Sequence, residues 1–176
     1  GAGARACGRV GGGRPRPGCG EGLRVYVLTF SPGDHPFFKF GHNAILVHDP
    51  SSRNVDRVYN WGTFSFGDPA LIPKFVVGRF MYWLSAGNMS GTTSVYRREN
   101  RWIDAQELDL DAASKLELQR AVDLNLLREN RYYKYDYYRD NCSTRVRDMI
   151  DGVVDGRLKA VTSSPARLSY RDHTLR

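Results

Sequence analysis

Cys142 is the residue of this sequence with the clearest capacity for covalent chemistry. It follows Asp140 and Asn141, two side chains that cap helices, so a helix is predicted to begin at the cysteine. The free backbone N–H groups of a first helical turn favour negative charge and lower the pKa of a thiol there. The thiolate would be a nucleophile, and the amides of the same turn, supported by Asn141 and Ser143, could form an oxyanion hole. The simpler alternative is a buried cysteine that only fills space.

His42 is the candidate base for this nucleophile, which needs a proton acceptor that a third polar group orients. If the strand that begins near His42 forms a hairpin with the next one, with a turn near residue 52, Asn60 is its diagonal neighbour on the same sheet face. The amide oxygen of Asn60 could then hold an imidazole N–H, as in Cys–His–Asn sites. His48, six residues further on and on the same face, is the alternative orienter, although we favour a solvated strand end for it. A histidine that caps a turn is the alternative for His42.

Other chemistries fit the sequence less well. The dense CxxC and HExxH spacings of metal sites are missing from the sequence, so we expect neither a metal nor another cofactor. The segment 132–138 mixes tyrosines with basic residues, as nucleic-acid stacking surfaces do. A strand that presents Tyr133, Tyr135 and Tyr137 on one face is the simpler explanation, and we expect no nucleic-acid partner.

The composition indicates one globular domain behind an unusual leader. The chain has 176 residues, 41% of them hydrophobic, which suffices for one buried core. Four arginines and no acid lie in residues 1–20, so more than half of the net charge of +7 comes from there. Residues 1–22 are therefore predicted to be a disordered Gly/Arg-rich leader. Cys7 and Cys19 lie in it, which leaves Cys142 without a partner for a disulfide inside the domain. We find no apolar run long enough to cross a bilayer.

The hydrophobic pattern predicts an α+β fold with an antiparallel sheet packed against helices. Residues 157–176 are polar and are expected to be a C-terminal tail or linker. The helix over 69–85 is apolar on most sides, which predicts that it is deeply buried or rests against an apolar surface. The predicted elements are strands at 23–30, 44–47, 56–61, 102–110 and 132–138, and helices at about 69–85, 111–130 and from 142 to between 152 and 156.

Three blocks of the sequence resemble the Lnb N-terminal periplasmic domain family of Gram-negative bacteria, over about residues 23–155. They are Phe40-Gly41-His42-Asn43-Ala44, Val58-Tyr59-Asn60-Trp61-Gly62 and Arg139-Asp140-Asn141-Cys142-Ser143-Thr144-Arg145. The order of histidine before cysteine is also similar to the permuted branch of the NlpC-type papain-like superfamily, which includes lecithin:retinol acyltransferase-like enzymes.

The resemblance implies a circularly permuted papain-like (NlpC-type) fold, with residues 23–156 as a periplasmic catalytic domain associated with the membrane. It also implies a thiol-dependent acyltransferase. Cys142 would take a fatty acyl chain from a membrane phospholipid as a thioester, and His42 would accept the thiol proton and then assist attack by the α-amine of a lipoprotein. Family members often continue into membrane helices. The resemblance therefore leads us to expect a membrane anchor outside these 176 residues. Residues 1–20 match nothing in the family.

Two alternatives to the acyltransferase stay open at this point. A cysteine amidase or peptidase that cleaves peptidoglycan would use the same nucleophile and base, with water as the acceptor. An open polar cleft would favour this amidase, and an apolar groove would favour the transferase. A non-catalytic lipid- or protein-binding module would instead leave Cys142 far from His42.

Overall fold

An antiparallel sheet of short strands rich in β-branched and aromatic residues forms the framework of the molecule. The computed structural model describes residues 20–35, 38–50, 56–65, 67, 69–77, 80–165 and 167–174. Within them the sheet has six strands in the order β5-β1-β2-β3-β4-β6. The strands are β1 Arg24–Phe30, β2 His42–His48, β3 Asp56–Thr63, β4 Met81–Asn88, β5 Ile103–Glu107 and β6 Tyr132–Lys134, and the helices are α1 Leu71–Val76, α2 Met89–Arg98, α3 Ala112–Leu126, α4 Cys142–Val153, α5 Arg157–Thr162 and α6 Tyr170–Thr174.

The two faces of the sheet pack against different helices. On one face α3 and α4 contribute Leu118, Val122 and Val146 to the main core, which also holds Tyr59 and Trp61 of β3. On the other face a smaller cluster of Leu28, Phe30, Ala44, Leu46 and Val58 packs against residues of α2. Strand β2 lies between the two layers, and its residues 44–47 are buried. Successive side chains of β2 therefore face different layers, His42 with the smaller cluster and Asn43 with the main core.

The predicted hairpin of β2 and β3 is confirmed, but its ladder stops short of His42. The pairing with β3 runs from His48↔Asp56 to Ile45↔Tyr59. On its other side, β2 stays paired with β1 as far as Phe30↔His42. The first three residues of β2 thus have a free edge on the β3 side. Residues 51–55 of the turn lie outside the described residues.

The helix predicted over 69–85 is wrong in most of its length. The structure has the short helix α1 there, followed by β4. In β4 the buried Tyr82 and Leu84 alternate with the more exposed Met81 and Trp83, a period of two. Pairing with β3 and β6 on both sides satisfies the backbone of this segment and overrides its helix-like spacing. The helix that does form is not deeply buried, because Ile72 is 60% exposed. Asp68, the residue before the predicted helix, lies outside the described residues.

The other element predictions agree with the structure apart from their ends. Strands β1 and β5 and helices α3 and α4 are confirmed, and Asp111 and Asn141 cap the two helices. Helix α3 ends at Leu126 instead of Asn130, and only three residues of 132–138 form β6.

The two ends of the chain differ in how much of them is described. Residues 1–19 of the predicted leader lie outside the described residues. The segment predicted as a tail contains α5 and α6, and α6 contacts the domain through Tyr170, whose carbonyl accepts a 3.1 Å hydrogen bond from the Tyr138 hydroxyl. Among the described residues, the helices are all too short or too polar to span a membrane.

Candidate active site

The N-terminus of α4 presents Cys142 as its first helical residue. The Asn141 side-chain oxygen accepts hydrogen bonds from the amides of Ser143 (2.9 Å) and Thr144 (3.0 Å), and the Thr144 hydroxyl accepts one from the Asn141 amide (2.9 Å). This reciprocal cap starts the helix sharply at Cys142. It also occupies two of the amides that the sequence offered for an oxyanion hole. Among the described residues, the Cys142 backbone N–H is the donor of this first turn that makes no hydrogen bond to the capping side chain or within the helix.

Strand β3 orients the imidazole of His42 through Asn60. The Asn60 side-chain oxygen lies 2.6 Å from His42 Nε2 and also accepts the Gly62 backbone N–H at 2.6 Å. Because a backbone N–H can only donate, the atom that it meets is the amide oxygen, and Nε2 must then donate to it as well. In the neutral ring the lone pair is therefore on Nδ1. The predicted base and its predicted orienter lie together, and Nδ1 is the nitrogen that can accept a proton.

A bulge in β3 creates the space for this arrangement. The pairing with β4 shifts register between Asn60 and Thr63, and Gly62 lies inside the shift. A Cβ atom on Gly62 would meet His42 Cε1 at 2.5 Å and His42 Nε2 at 3.0 Å. Gly62 therefore has to lack a side chain so that the imidazole can lie against the strand. Gly62 was not recognised from the sequence, although a glycine inside a strand pattern is a signal of close approach.

The environment of the Cys142 thiol favours its ionised form. Burial raises the pKa of Cys142, but a hydrogen bond and the charge of His42, the Asn43 backbone N–H and the Ser143 hydroxyl together outweigh burial and bring it to about 7. A thiol with this pKa is about half ionised at neutral pH, whereas an ordinary cysteine is only a few per cent ionised. The structure thus brings His42 to Cys142 from a position a hundred residues earlier in the chain.

The other predicted orienter, His48, lies at the far end of β2. Its Nδ1 is 2.7 Å from an oxygen of Asp56, the residue opposite it in the hairpin. It lies six residues further along the strand than His42, a distance of about 20 Å. The structure therefore does not bring His48 to the site.

An aromatic cavity of about 330 Å³ surrounds the Cys142 and His42 side chains. Its polar lining comes from those two residues, from Asn43, Asn60, Asn141 and Ser143, and from the tyrosines among its aromatic side chains, with no aspartate, glutamate, lysine or arginine among the described lining residues. Such a lining suits neutral ligands that carry both apolar and polar groups. The aromatic side chains that line it are Phe38, Phe40, Trp61, Phe64, Tyr82, Tyr96, Tyr135 and Tyr137.

The predicted tyrosine segment supplies part of this lining. Tyr133 is buried and donates its hydroxyl to the Trp61 carbonyl, which fixes the segment behind the cavity. Tyr135 lines the cavity and stacks on Tyr82 at 4.5 Å. Tyr137 lies at the rim in edge contact with Phe40, which is 78% exposed.

A stack of planar groups supports the imidazole from behind. The Phe30 ring lies 5.6 Å from the His42 ring at an interplanar angle of 21°, and the Tyr96 ring also stacks on Phe30, at 4.5 Å. The Arg101 guanidinium covers Tyr96 at 4.3 Å and hydrogen-bonds to the Ser31 carbonyl. The stack restricts rotation of the imidazole about its bond to the strand.

Comparison with known proteins identifies the kind of domain that carries this site. A family model described as the Lnb N-terminal periplasmic domain matches residues 20–174. The match includes both sequence blocks that hold His42 and Cys142, and the description supports a periplasmic location. The chain has no significant match among curated proteins or solved structures.

Proposed function

We propose an acyl-transfer function on the premise that this chain belongs to the Lnb N-terminal periplasmic domain family, as the match over residues 20–174 shows. The proposed enzyme uses Cys142 and His42 to move a fatty acyl chain from a phospholipid to an amine, with the N-terminus of a bacterial lipoprotein as the proposed acceptor. The histidine on a sheet strand, earlier in the chain than a cysteine at a helix start, also supports a circularly permuted papain-like fold.

In the first half of the proposed reaction the acyl chain moves to the enzyme. The Cys142 thiolate attacks the ester carbonyl, and the Cys142 amide donates a hydrogen bond to the developing oxyanion. The ester C–O bond breaks, and the lysophospholipid alkoxide takes the proton that His42 had accepted from the thiol. The products are a thioester on Cys142, a lysophospholipid and a neutral imidazole.

In the second half the amine takes the acyl chain. The amine nitrogen attacks the thioester carbonyl while His42 Nδ1 accepts its proton. The C–S bond breaks, an amide forms, and the thiolate leaves beside the imidazolium. Asn60 keeps Nε2 protonated throughout, so that Nδ1 is the nitrogen that shuttles the proton in both halves.

The uncharged aromatic lining is the observation that favours an acyl substrate over peptidoglycan. A peptidoglycan stem peptide brings carboxylates and amines to the site, and burying them without partners is costly. The described lining offers no charged side chain as such a partner besides His42 itself. The rings of the aromatic side chains among the described lining residues offer the apolar contact that an acyl chain needs.

The proposed partners are a membrane phospholipid and a lipoprotein, and the proposed location is the periplasmic face of the membrane. The exposed Phe40 at the cavity rim supports access from a lipid phase. Phe37 of the same aromatic segment lies outside the described residues.

A thioester trap tests this function. The protein is incubated with a phospholipid that carries a fluorescent acyl chain in detergent micelles, quenched with acid and digested. We expect the label on the Cys142 peptide, release of that label by neutral hydroxylamine, and no label in Cys142→Ala or His42→Ala. The matched control is His48→Gln, which changes the histidine at the other end of the same strand and should label normally.

The second arm of the experiment distinguishes the acceptor. A synthetic lipopeptide with a free α-amine should discharge the labelled enzyme with formation of an acyl amide, while its N-acetylated analogue should not. Discharge by buffer alone, at the same rate and with free fatty acid as the product, would indicate a hydrolase. Absence of any hydroxylamine-labile label on the wild-type protein would contradict the proposal and favour a non-catalytic module.

A further inference from the structure

Asn43 and Ser143 each lie one residue after a member of the candidate catalytic pair, and they contact each other. The Ser143 hydroxyl donates a 2.8 Å hydrogen bond to the Asn43 side-chain oxygen. Asn43 follows His42 on β2, and Ser143 follows Cys142 on α4. It joins the described residues of β2 and α4 next to the contacts that the Cys142 thiol makes with His42 and with the Asn43 backbone N–H.

The other end of the Asn43 amide is anchored in β1. Its nitrogen donates to the Thr29 hydroxyl at 3.2 Å, and the Leu28 carbonyl lies at 3.5 Å. Thr29 is the residue directly opposite Asn43 in the ladder, so both side chains point to the same face. Because a carbonyl can only accept, the nitrogen of Asn43 must face β1, and its oxygen must face Ser143. The amide therefore bridges the sheet and the helix in one fixed orientation.

This bridge lies where the sheet is otherwise open. The ladder between β2 and β3 begins only at Ile45, so the start of β2 has no β3 backbone partner to fix its distance from α4. His42 and Asn43 face different layers of the fold, yet the Asn43 backbone N–H also donates to the Cys142 thiolate. Any movement of α4 away from Asn43 would lengthen the contacts that the thiol makes with both residues.

We propose that the Asn43 side chain is a positioning residue, which holds the start of α4 against β2 through Ser143 and so sets the distance between Cys142 and His42. The inference deepens the proposed function and rests on it for the catalytic role of His42 and Cys142. The effect of the bridge on the ionisation of the Cys142 thiol can be measured without acyl transfer. Without the bridge, the Cys142 thiolate loses the close approach of its stabilising donors, and its reactivity shifts to higher pH.

The test measures alkylation of Cys142 by iodoacetamide as a function of pH, with the Cys142 peptide quantified by mass spectrometry so that Cys7 and Cys19 do not contribute. The variants are Asn43→Ala, Ser143→Ala and the double variant. We expect each to move the alkylation midpoint from about 7 towards the ordinary cysteine value and to slow alkylation at pH 7 about fivefold. The double variant should be no slower than the worse single variant, because both remove one shared bond.

Two further variants separate positioning from other effects. Ser143→Thr keeps the hydroxyl and should restore most of the wild-type pH profile. Ser94→Ala removes an exposed helix hydroxyl that bonds only within α2, and it should leave the profile unchanged. Thr29→Val, a change of nearly equal volume, removes the hydroxyl partner of the Asn43 amide and leaves the Leu28 carbonyl at 3.5 Å as its partner in β1. It should shift the midpoint in the same direction as Asn43→Ala, which provides a second measurement if Asn43→Ala does not fold.

The outcomes are distinguishable from those of the lipid experiment, since iodoacetamide needs no acyl donor or acceptor. Folded Asn43→Ala and Thr29→Val with the wild-type midpoint and with rates within twofold of wild type would overturn the inference. A shift in Ser143→Ala alone would show a direct effect of the hydroxyl on the thiol, which lies 3.9 Å away, and would also overturn it. Shifted midpoints in a protein that forms no thioester would leave the bridge intact and contradict only the acyltransferase.

Discussion

Gly62→Ala should inactivate the site without unfolding the domain. An alanine Cβ at this position would lie 2.5 Å from His42 Cε1, whereas ordinary van der Waals contact begins at about 3.4 Å. The imidazole must therefore retreat by roughly 1 Å, and a displacement of that size in a reacting group costs about a hundredfold in rate, or about 3 kcal/mol. The same Cβ lies 3.0 Å from the Asn60 oxygen, so the hydrogen bond that orients the ring is disturbed as well.

The rate of thioester formation on Cys142 from fluorescent phospholipid is the assay, and thermal melting reports the fold. Gly87→Ala is the matched control, because Gly87 is also in a strand of the sheet and an added Cβ there meets nothing within 4 Å. We expect a loss of about a hundredfold for Gly62→Ala and none for Gly87→Ala. The reasoning is refuted if Gly62→Ala forms the thioester at the wild-type rate, because the imidazole would then work equally well from another position.

Three other outcomes follow from the same geometry. Burial raises the pKa of Cys142 but its contacts with His42 lower it to about 7, so alkylation should decline as pH falls below about 7, and His42→Ala should move this decline to higher pH. Phe30→Leu removes the ring stacked on His42, and we expect kcat for acyl transfer to fall up to about tenfold with KM unchanged in steady-state kinetics. Tyr59→Phe removes a 2.6 Å hydrogen bond to Asp123 and should lower the free energy of unfolding in urea by about 1–2 kcal/mol, with normal thioester formation in the folded fraction.

The local signals of the sequence were sufficient to predict the two halves of the site separately. The capping residues before Cys142 determine where α4 begins, and the short turn after His48 determines which strand lies beside β2. Both are contacts within a few residues of chain, for which residue type is a direct guide. Asn60 could be named because the hairpin register follows from the position of its turn.

The sequence was insufficient wherever a residue acts through a distant neighbour. Phe30 and Asn43 read as ordinary strand residues, and only the pairing of β1 with β2 shows that one stacks on His42 and the other bridges to α4. The prediction of a helix over 69–85 was wrong for a related reason. Its apolar residues fit a helix about as well as a strand, and the choice was made by hydrogen bonds to β3 and β6, which lie elsewhere in the chain.

The position of the site at the unpaired start of β2 explains how two consecutive residues can both serve one thiol. As in any strand, His42 and Asn43 point to different layers, and full pairing would also use their backbone N–H groups in the ladders to the neighbouring strands. Here β3 pairs only from Ile45 onward, which leaves an open edge that the start of α4 reaches. The imidazole can then approach the sulfur from one face, the Asn43 backbone N–H from the edge, and the Asn43 side chain can hold the helix from the other face. Extending the hairpin as far as Asn43 would close this edge, so the early end of the ladder is itself a requirement of the site.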